Sequence, residues 1–347
     1  MQSYQLFHDI CQLKRDYMPR LVEFLKVWML PVAIVAGISL ALAFHFWTPL
    51  KGAEPAFTSV AKELQPIFVA LMLFLQFTKV SPHDLRIRRW HIWLLLFQTF
   101  LFVALALTAI PIPHGSLRIL VECAMLCIIC PTAAAAGVIT DKLGGNLSDT
   151  VTYVVLINIL AAFVIPAVIP IVHSVEGATF LGRFVSICLR VFPLLVLPLL
   201  LSWLVRYTMK KLHHKLLRIV GWAFYVWGFT LCLSIYLATK AMIASGISIW
   251  TGVMIGVVSL LCTIIQFAVG RLLGKKSRKE ASAEERRNDS ITAGQALGQK
   301  NNGFLIWLGY SWMTPVSSVA GGLYSIWQNL INSAELFEQK REAGKSK

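Results

Sequence analysis

The chain has 347 residues, of which 57% are hydrophobic and only 14% are charged, and it carries 11 tryptophans and 20 phenylalanines. A water-soluble protein of this length could not bury so much apolar surface, so the composition indicates a protein that crosses a membrane several times. The net charge of +15 could suggest nucleic acid, but the basic residues lie in short loops between apolar runs, which argues against that partner.

The first element is residues 1–25, which mix charged and apolar residues and lack the hydrophobic stretch of a cleavable signal. We expect an amphipathic helix on the membrane surface there. Apolar runs of about twenty residues, each long enough to span the hydrocarbon core, follow along the rest of the chain. The ten predicted spans are 26–47, 57–78, 91–112, 117–140, 148–172, 184–205, 217–239, 247–270, 290–311 and 314–336.

The lysines and arginines are divided unequally between the two sides of the membrane. With the N-terminus inside, the inner segments hold 25 of them and the outer segments 6, and Lys300 lies within a span. Cytoplasmic loops carry an excess of Lys and Arg. The sequence therefore predicts a multi-pass cell-membrane protein with both termini in the cytoplasm.

The ten spans divide into two sets of five. Because five is odd, the second set enters the membrane upside down relative to the first, as in transporters with inverted repeats. Such repeats predict interrupted helices at matching positions, and "CPTAAAAG" (130–137) and "GQKNNG" (298–303) lie in the fourth span of each set. We predict an all-α polytopic membrane protein with ten transmembrane helices in two inverted five-helix repeats, whose interrupted helices 4 and 9 cross near the membrane centre.

Both interruptions contain residues that suit a binding site. Pro131 removes a backbone donor, and the small residues 132–137 let another backbone approach closely. Asn301, Asn302 and Gly303 add side-chain amides and a flexible point. Opposed helix ends at such breaks offer N–H donors to an anion and carbonyls to a cation. Residues 130–137 alone would indicate a proline kink in a packing face, but the matching second break favours a site.

Lys300 lies about ten residues, or roughly 15 Å, from either end of its span, which is too far for its side chain to reach the interface. A lysine at the bilayer centre costs roughly 2.5–3.5 kcal/mol on insertion scales. We therefore expect Lys300 to face the protein interior or a wet cavity and to have a function.

Other polar residues have simpler interpretations. Glu122 is expected to pair with Arg118, four residues earlier on the same helix. Gln98 could reach the crossing or form an interhelical hydrogen bond, and both interpretations stay open. Catalytic and cofactor motifs such as HExxH, GxSxG and GxGxxG are absent from the sequence, so we predict neither an enzyme nor a cofactor.

The segment "KNNGFLIWLGYSWMTPVSSVAGGLYSIWQN" (300–329) resembles the helix 9–10 region of the bile acid:sodium symporter family. That family has Gln-Asn-x-Gly-Leu followed by Pro, then Pro-Gly, then Trp-x-Asn. Ala320 replaces the second proline, and the residues in register are Asn301, Gly303, Pro315, Gly321, Trp327 and Asn329. "CPTAAAAGVITDKLGGN" (130–146) is similar to the family's helix 4, Cys-Pro-Gly-Gly-Thr-Ala-Ser-Asn.

The resemblance implies a core domain of spans 3–5 and 8–10 and a panel domain of spans 1, 2, 6 and 7, with organic anions bound between them. Along the chain we expect the N-terminal segment 1–25, helices 1–6 in 26–205 with the first repeat, helices 7–10 in 206–337 with the second, and a cytoplasmic tail, 338–347. The expected substrate-binding residues are Thr132, Ala133, Ala136, Gly137, Asn301, Asn302, Gly303 and Asn329.

The resemblance fails at the family's sodium ligands. Ala136 and Gly137 stand at its Ser-Asn pair, Val154 replaces one hydroxyl of helix 5, and Ala296 stands at its glutamate. Lys300 stands at its glutamine. Alanine, glycine and valine offer no side-chain oxygen to a hard cation. The residues left for ion coupling are Lys300, Gln98, Thr150 and Gln299.

We therefore predict a secondary transporter of a small organic anion, with the Lys300 ammonium as a tethered cation where sodium would lie. Such a protein would not depend on sodium, and a lysine that gains its proton as the substrate binds would give proton coupling. Two alternatives stay open: a membrane receptor that binds its ligand without moving it, and a sodium symporter that holds its ion with backbone carbonyls.

Overall fold

The structure is a computed structural model that describes residues 28–133, 135–174, 177–277, 280 and 282–345. The segment predicted to be an amphipathic helix, 1–25, lies outside the described residues. The helices are α1 (Trp28–Phe46), α2 (Thr48–Lys51), α3 (Glu54–Phe77), α4 (Arg89–Ala109), α5 (Ser116–Ile129), α6 (Ala136–Lys142), α7 (Leu147–Val172), α8 (Phe180–Leu195), α9 (Leu197–Thr208), α10 (Lys210–Ile219), α11 (Ala223–Ser245), α12 (Ile249–Lys276), α13 (Ala283–Gly298), α14 (Asn302–Trp312) and α15 (Val319–Lys345). Short 3₁₀ turns lie at Pro82–Asp84, Val220–Trp222 and Pro315–Ser318.

Within the described residues, seven helical segments are long and apolar enough to cross a membrane. They expose large apolar side chains, among them Phe100 and Ile249 at 74% and 86%. Such surfaces suit contact with lipid, because single soluble domains rarely expose large contiguous apolar patches. The segments are α1, α3, α4, α7, Phe180–Thr208 (α8 and α9), Lys210–Ser245 (α10 and α11) and α12, and they correspond to seven of the ten predicted spans.

The other three predicted spans differ in identifiable ways. The spans 117–140 and 290–311 are each interrupted, the first between α5 and α6 and the second between α13 and α14. The third coincides with α15, which is unbroken but turns Gln328 and Asn332 to the protein interior. A helix that directs polar groups at its neighbours can cross a membrane without being apolar throughout. As spans, these three stay predictions.

The helices pack as two groups. In the α3 group (α1, α3, α8, α9 and α11), α3 packs against α8, α9 and α11, and α1 shares an apolar cluster with α11. In the α5 group (α4 to α7 and α12 to α15), α5 packs against α4, α12 and α15, and α13 packs along α12. The two groups meet where α14 contacts α3 and α11, and where α7 contacts α8. The second break lies on this boundary because α14 begins there.

Glycines bring α12 and α13 unusually close together. A Cβ atom on Gly270 would contact the backbone carbonyl of Ala293, and one on Gly274 would contact that of Asp289. Small residues allow such close backbone approach between membrane helices. This packing fixes the position of α13 and therefore of the break that follows it.

A buried ion pair ties together several helix ends of the α5 group. The predicted pairing of Arg118 with Glu122 is confirmed, with Arg118 Nε 3.1 Å from Glu122 Oε1. Arg118 also donates to the backbone oxygens of Ala109 and Val172, which lie at the ends of α4 and α7. Glu122 accepts a hydrogen bond from the Thr314 N–H just after α14. The pair therefore has the structural role expected of it.

Candidate functional site

The two helix breaks meet through their backbones. Thr132 and Lys300 form an isolated antiparallel bridge. The Ala133 N–H donates to the Gln299 oxygen at 3.2 Å, and the Asn301 N–H donates to the Pro131 oxygen at 2.9 Å. An extended segment inside a helical membrane protein needs such partners, because lipid cannot satisfy its polar groups. Each break therefore supplies hydrogen-bond partners to backbone groups of the other.

Lys300 is buried at this junction, with only 1% of its surface exposed. Its ammonium Nζ donates to the backbone oxygen of Ile128 at 3.3 Å, in the last turn of α5. Its backbone N–H donates to Gln328 Oε1 on α15 at 2.9 Å. Among the ion pairs of the described residues none involves Lys300. The side chain faces the protein interior, as the sequence predicts.

The breaks would leave several carbonyls unpaired, but side chains donate to them. Gln98 Nε2 donates to the Cys130 oxygen at 3.2 Å, while Gln98 Oε1 accepts from Tyr153 at 2.8 Å. The Thr132 hydroxyl donates to the Ala296 oxygen at 2.6 Å, near the end of α13. These donors stabilise helix ends that would otherwise be costly to bury.

Gln299 connects the second break to a polar chain of side chains. Its Nε2 atom donates to Gln295 Oε1 at 2.9 Å and to Asn332 Oδ1 at 2.6 Å. Gln295 Nε2 in turn donates to Glu335 Oε2 at 2.7 Å, and Glu335 pairs with Arg271. Gln299 thus points away from the first break and toward α15.

The asparagines have different roles at the start of α14. Asn301 Oδ1 accepts from the Phe304 N–H at 3.2 Å, which caps the helix. Asn302 is also buried, but its Oδ1 atom has no hydrogen-bond partner in the part of the chain that the structure describes. A buried acceptor without a donor is costly. It leaves a group that a ligand's donor could satisfy.

Some of the predicted site residues contact other parts of the fold. Thr150 donates to the Thr140 hydroxyl at 3.1 Å and to the Asn146 oxygen at 3.0 Å, at the α6–α7 turn. Asn329 Nδ2 donates to the Ser325 oxygen of its own helix. Ala136 and Gly137 begin α6, and a Cβ on Gly137 would lie 2.6 Å from Leu147 Cδ1. The structure brings Gln98, Thr132, Ala133 and Lys300 together at the junction of the breaks. The side chains of Thr150 and Asn329 instead donate to residues outside that junction.

Sequence reasoning missed Gln65 on α3. This residue is fully buried, and its Nε2 atom donates to the Gly303 oxygen at 2.6 Å and to the Ser234 hydroxyl at 2.9 Å. Its Oε1 atom accepts from Tyr310 on α14 at 3.3 Å. The sequence does contain a signal for Gln65, because a glutamine inside an apolar run needs a polar partner, as Gln98 does. Gln65 links the α3 group to the second break.

A cleft of about 700 Å³ opens between the two helix groups. The turn between α3 and α4 contributes Lys79, His83, Arg86 and Arg88, and the α6–α7 turn contributes Asp149. Arg88 and Asp149 form an ion pair at 3.1 Å. Val138, one residue after Gly137, lines the inner part of the cleft. Asp84 also lines the cleft, so its three lysine and arginine residues exceed its two carboxylates by one, and this small positive excess favours anions.

A model of the SBF-like CPA transporter family matches residues 29–296, more than three quarters of the chain. The match includes the first break and ends shortly before Lys300. No curated protein matches the chain.

Proposed function

Because the chain belongs to the SBF-like CPA transporter family, we propose that it carries a small organic anion across the membrane by alternating access, without depending on sodium. Membership makes the chain a multi-pass membrane protein and suggests a secondary transporter. The proposal adds the class of substrate, the mechanism and the role of Lys300.

The observation that carries the proposal is the burial of Lys300, which forms no ion pair with any described residue, at the meeting point of two broken helices. A charged side chain inside a membrane protein is costly and usually marks a pathway for substrate or ions. The ammonium of Lys300 donates a hydrogen bond to the backbone oxygen of Ile128 at 3.3 Å, which places a positive charge at the junction. We infer that it supplies the positive charge to which the substrate's carboxylate or similar group is attracted.

The hydrogen bonds at the two breaks argue against a sodium ion bound there by backbone oxygens. A hard cation needs several oxygen ligands. The oxygens of Pro131, Gln299 and Cys130 already accept protein hydrogen bonds. The oxygens of Ile128 and Ala296 do so as well. Holding sodium by backbone alone would require it to compete with these donors.

The packing of the helices supports alternating access. The α3 group contains the predicted panel spans, and the α5 group contains the predicted core spans. In our proposal ten helices form two inverted five-helix repeats, and α5–α6 and α13–α14 are the interrupted pair. The cleft of about 700 Å³ between the groups is then the substrate's route from the side of the basic loops, and movement of one group against the other would close it.

Transport by purified protein in sealed liposomes tests the proposal. We expect counterflow of at least one member of a panel of small organic anions, with equal rates in sodium, potassium and choline buffers. We also expect Lys300→Ala to abolish it. A rate that rose steeply with sodium would identify a backbone-held ion instead, and ligand binding without any flux would identify a receptor.

The same vesicles distinguish the two sodium-independent mechanisms. If Lys300 takes up a proton as the substrate binds, an imposed pH gradient drives uptake, and a protonophore abolishes that drive. If Lys300 is permanently charged, the protein is a facilitator or exchanger, and the gradient has no effect on accumulation.

A further inference from the structure

The short helix α10 forms the start of the segment Lys210–Ser245, of which α11 is the apolar part. The preceding segment ends at Thr208, and α11 begins at Ala223 after a 3₁₀ turn, Val220–Trp222. Helix α10 contains four lysines and arginines and no acidic residue. Such a segment is too basic for the hydrocarbon core, so α10 lies at the membrane surface on the side of the basic loops.

The residues of α10 separate into a basic arc and an apolar arc. At about 100° per residue, the basic side chains lie within roughly 140° of the helix circumference. Around the helix they follow the order Lys210, His214, Arg218, Lys211 and Lys215. Met209, Leu212 and Ile219 lie on the opposite side and are 52%, 37% and 47% exposed. These apolar side chains have lipid as their natural contact. The helix therefore has the amphipathic form typical of one that lies in the plane of the bilayer interface.

One buried residue fixes the orientation of this helix. His213 is 8% exposed, and its Nε2 atom lies 2.8 Å from the Thr78 oxygen at the end of α3. Arg206 also donates to the Thr78 oxygen, at 3.4 Å. Because α10 is anchored in this way, its basic arc is held in one direction. A cavity of about 550 Å³ lies beside it, lined by Tyr207, Thr208, Met209, Lys210, Lys211, Leu212 and Lys215.

We propose that α10 and this cavity form a docking surface for the headgroups of anionic phospholipids. The phosphate lies against Lys211 and Lys215, and the acyl chains run along the exposed apolar side chains of Leu212 and Ile219. Charge complementarity carries the assignment, because among the described residues that line the cavity three are lysines and none has a carboxylate. The continuous apolar arc favours a lipid over a soluble anion. This docking does not depend on what the protein transports.

Native mass spectrometry of the purified, detergent-solubilised full chain tests the proposal. Phosphatidylglycerol or phosphatidylcholine is added in increasing amounts, and retained lipids are counted. Each lysine near a membrane surface contributes about a factor of five to anionic lipid affinity, so Lys211→Gln with Lys215→Gln should weaken phosphatidylglycerol binding roughly 30-fold. Phosphatidylcholine binding should not change.

The matched control is Lys51→Gln with Lys62→Gln, which removes the same charge from two exposed lysines far along the chain from α10. It should leave phosphatidylglycerol binding within about twofold of the wild type, and the thermal midpoints of both variants in detergent should agree. Equal losses in both variants would reduce the effect to net charge and overturn the proposal. Displacement of phosphatidylglycerol by excess inorganic phosphate would assign the surface to a soluble anion and overturn it as well.

Discussion

At the scale of single residues, the sequence was most informative where a polar group occurred in an apolar run. Lys300 and Gln98 are two such residues, and both lie at the junction of the breaks. Gln65 follows the same logic but has no matching motif, so nothing in the sequence joined it to a site in a distant segment. The contacts of Thr150 and Asn329 could not be predicted, because residue type does not determine which of several acceptors a side chain reaches.

Replacing Lys300 should weaken binding of the transported anion. A hydrogen bond to a charged group contributes about 1.5–3 kcal/mol, so we expect Lys300→Ala to lower affinity about 10- to 100-fold, as measured by isothermal titration of the purified protein. Lys300→Gln should be impaired similarly and should not become sodium-dependent, because it restores one ligand of several. Lys62→Gln, at an exposed position, is the control. Unchanged affinity in Lys300→Ala would refute the tethered cation.

Glu122→Gln should destabilise the protein without changing the ion dependence of transport. The substitution leaves the Arg118 guanidinium, which is 6% exposed, without its counter-charge, and breaking a buried ion pair costs about 3–5 kcal/mol. We expect a fall of several degrees in the thermal unfolding midpoint in detergent. Glu63→Gln, on the exposed face of α3, should leave the midpoint within about one degree. A similar midpoint in both variants would show that the pair is not structural.

At the scale of elements, apolar length predicted the seven helical segments that are apolar enough to span a membrane, and their boundaries differ by several residues. The breaks could also be predicted, because proline, glycine and asparagine interrupt an otherwise apolar run. Their hydrogen-bond partners could not, since the Ala133–Gln299 and Asn301–Pro131 contacts join segments far apart in the sequence. The buried polar face of α15 could not be predicted for the same reason, because the sequence does not identify the helices that cover it.

The close packing of α12 and α13 predicts a difference between two glycines of the same helix. Gly270→Ala would press a methyl group against the Ala293 carbonyl, whereas Gly256→Ala would bring it only to 3.9 Å from Leu323 Cδ1. Overpacking costs about 1–3 kcal/mol. We expect Gly270→Ala to lower the thermal midpoint and to reduce transport, because α13 carries the second break. Gly256→Ala should do neither, and equal behaviour would contradict the close approach.

The bond between Gln65 and Gly303 should hold the two helix groups in the arrangement with the cleft open. Removing a hydrogen bond that leaves a buried carbonyl unpaired costs about 1–3 kcal/mol. Gln65→Leu should therefore slow the labelling of a cysteine placed at Val138, which lines the cleft, by a factor of about 5 or more in a cysteine-free background. Thr58→Val removes a bond to Tyr236 within the α3 group and should leave the rate unchanged. Equal labelling rates in both variants would show that the hydrogen bond between Gln65 and Gly303 does not hold the cleft open.

At the scale of the whole molecule, charge and symmetry carried the prediction. The distribution of lysine and arginine predicts an orientation without any structure, and the two matched breaks predict the repeat. Packing then adds what neither could supply, namely the contacts between the two groups, which include those of α14 and α15 with α11 and that of α7 with α8.

The predicted orientation places both termini and the turn between α3 and α4 on the cytoplasmic side. Cysteines introduced at Ser3, Pro82 and Ser346 should be labelled by a membrane-impermeant maleimide only after cells are permeabilised. A cysteine at Gly52, beyond α2, should react in intact cells. Labelling of either terminus in intact cells would overturn the topology and the inverted repeat that rests on it.

The junction of the breaks is made by peptide groups, and peptide groups are the same whatever side chains they carry. The backbone bridge between residues 132–133 and 299–301 can therefore persist when a side chain there changes, as long as no proline removes a donor, whereas the side chains of Thr132 and Asn301 stabilise the adjoining helix ends. In such a scaffold, the backbone contacts that join the two breaks are separate from the side chains that would select the ion. In the proposed mechanism, a few substitutions exchange an oxygen-rich ion cage for the amine of Lys300, and designers could use the same freedom to give one transporter fold a different driving force.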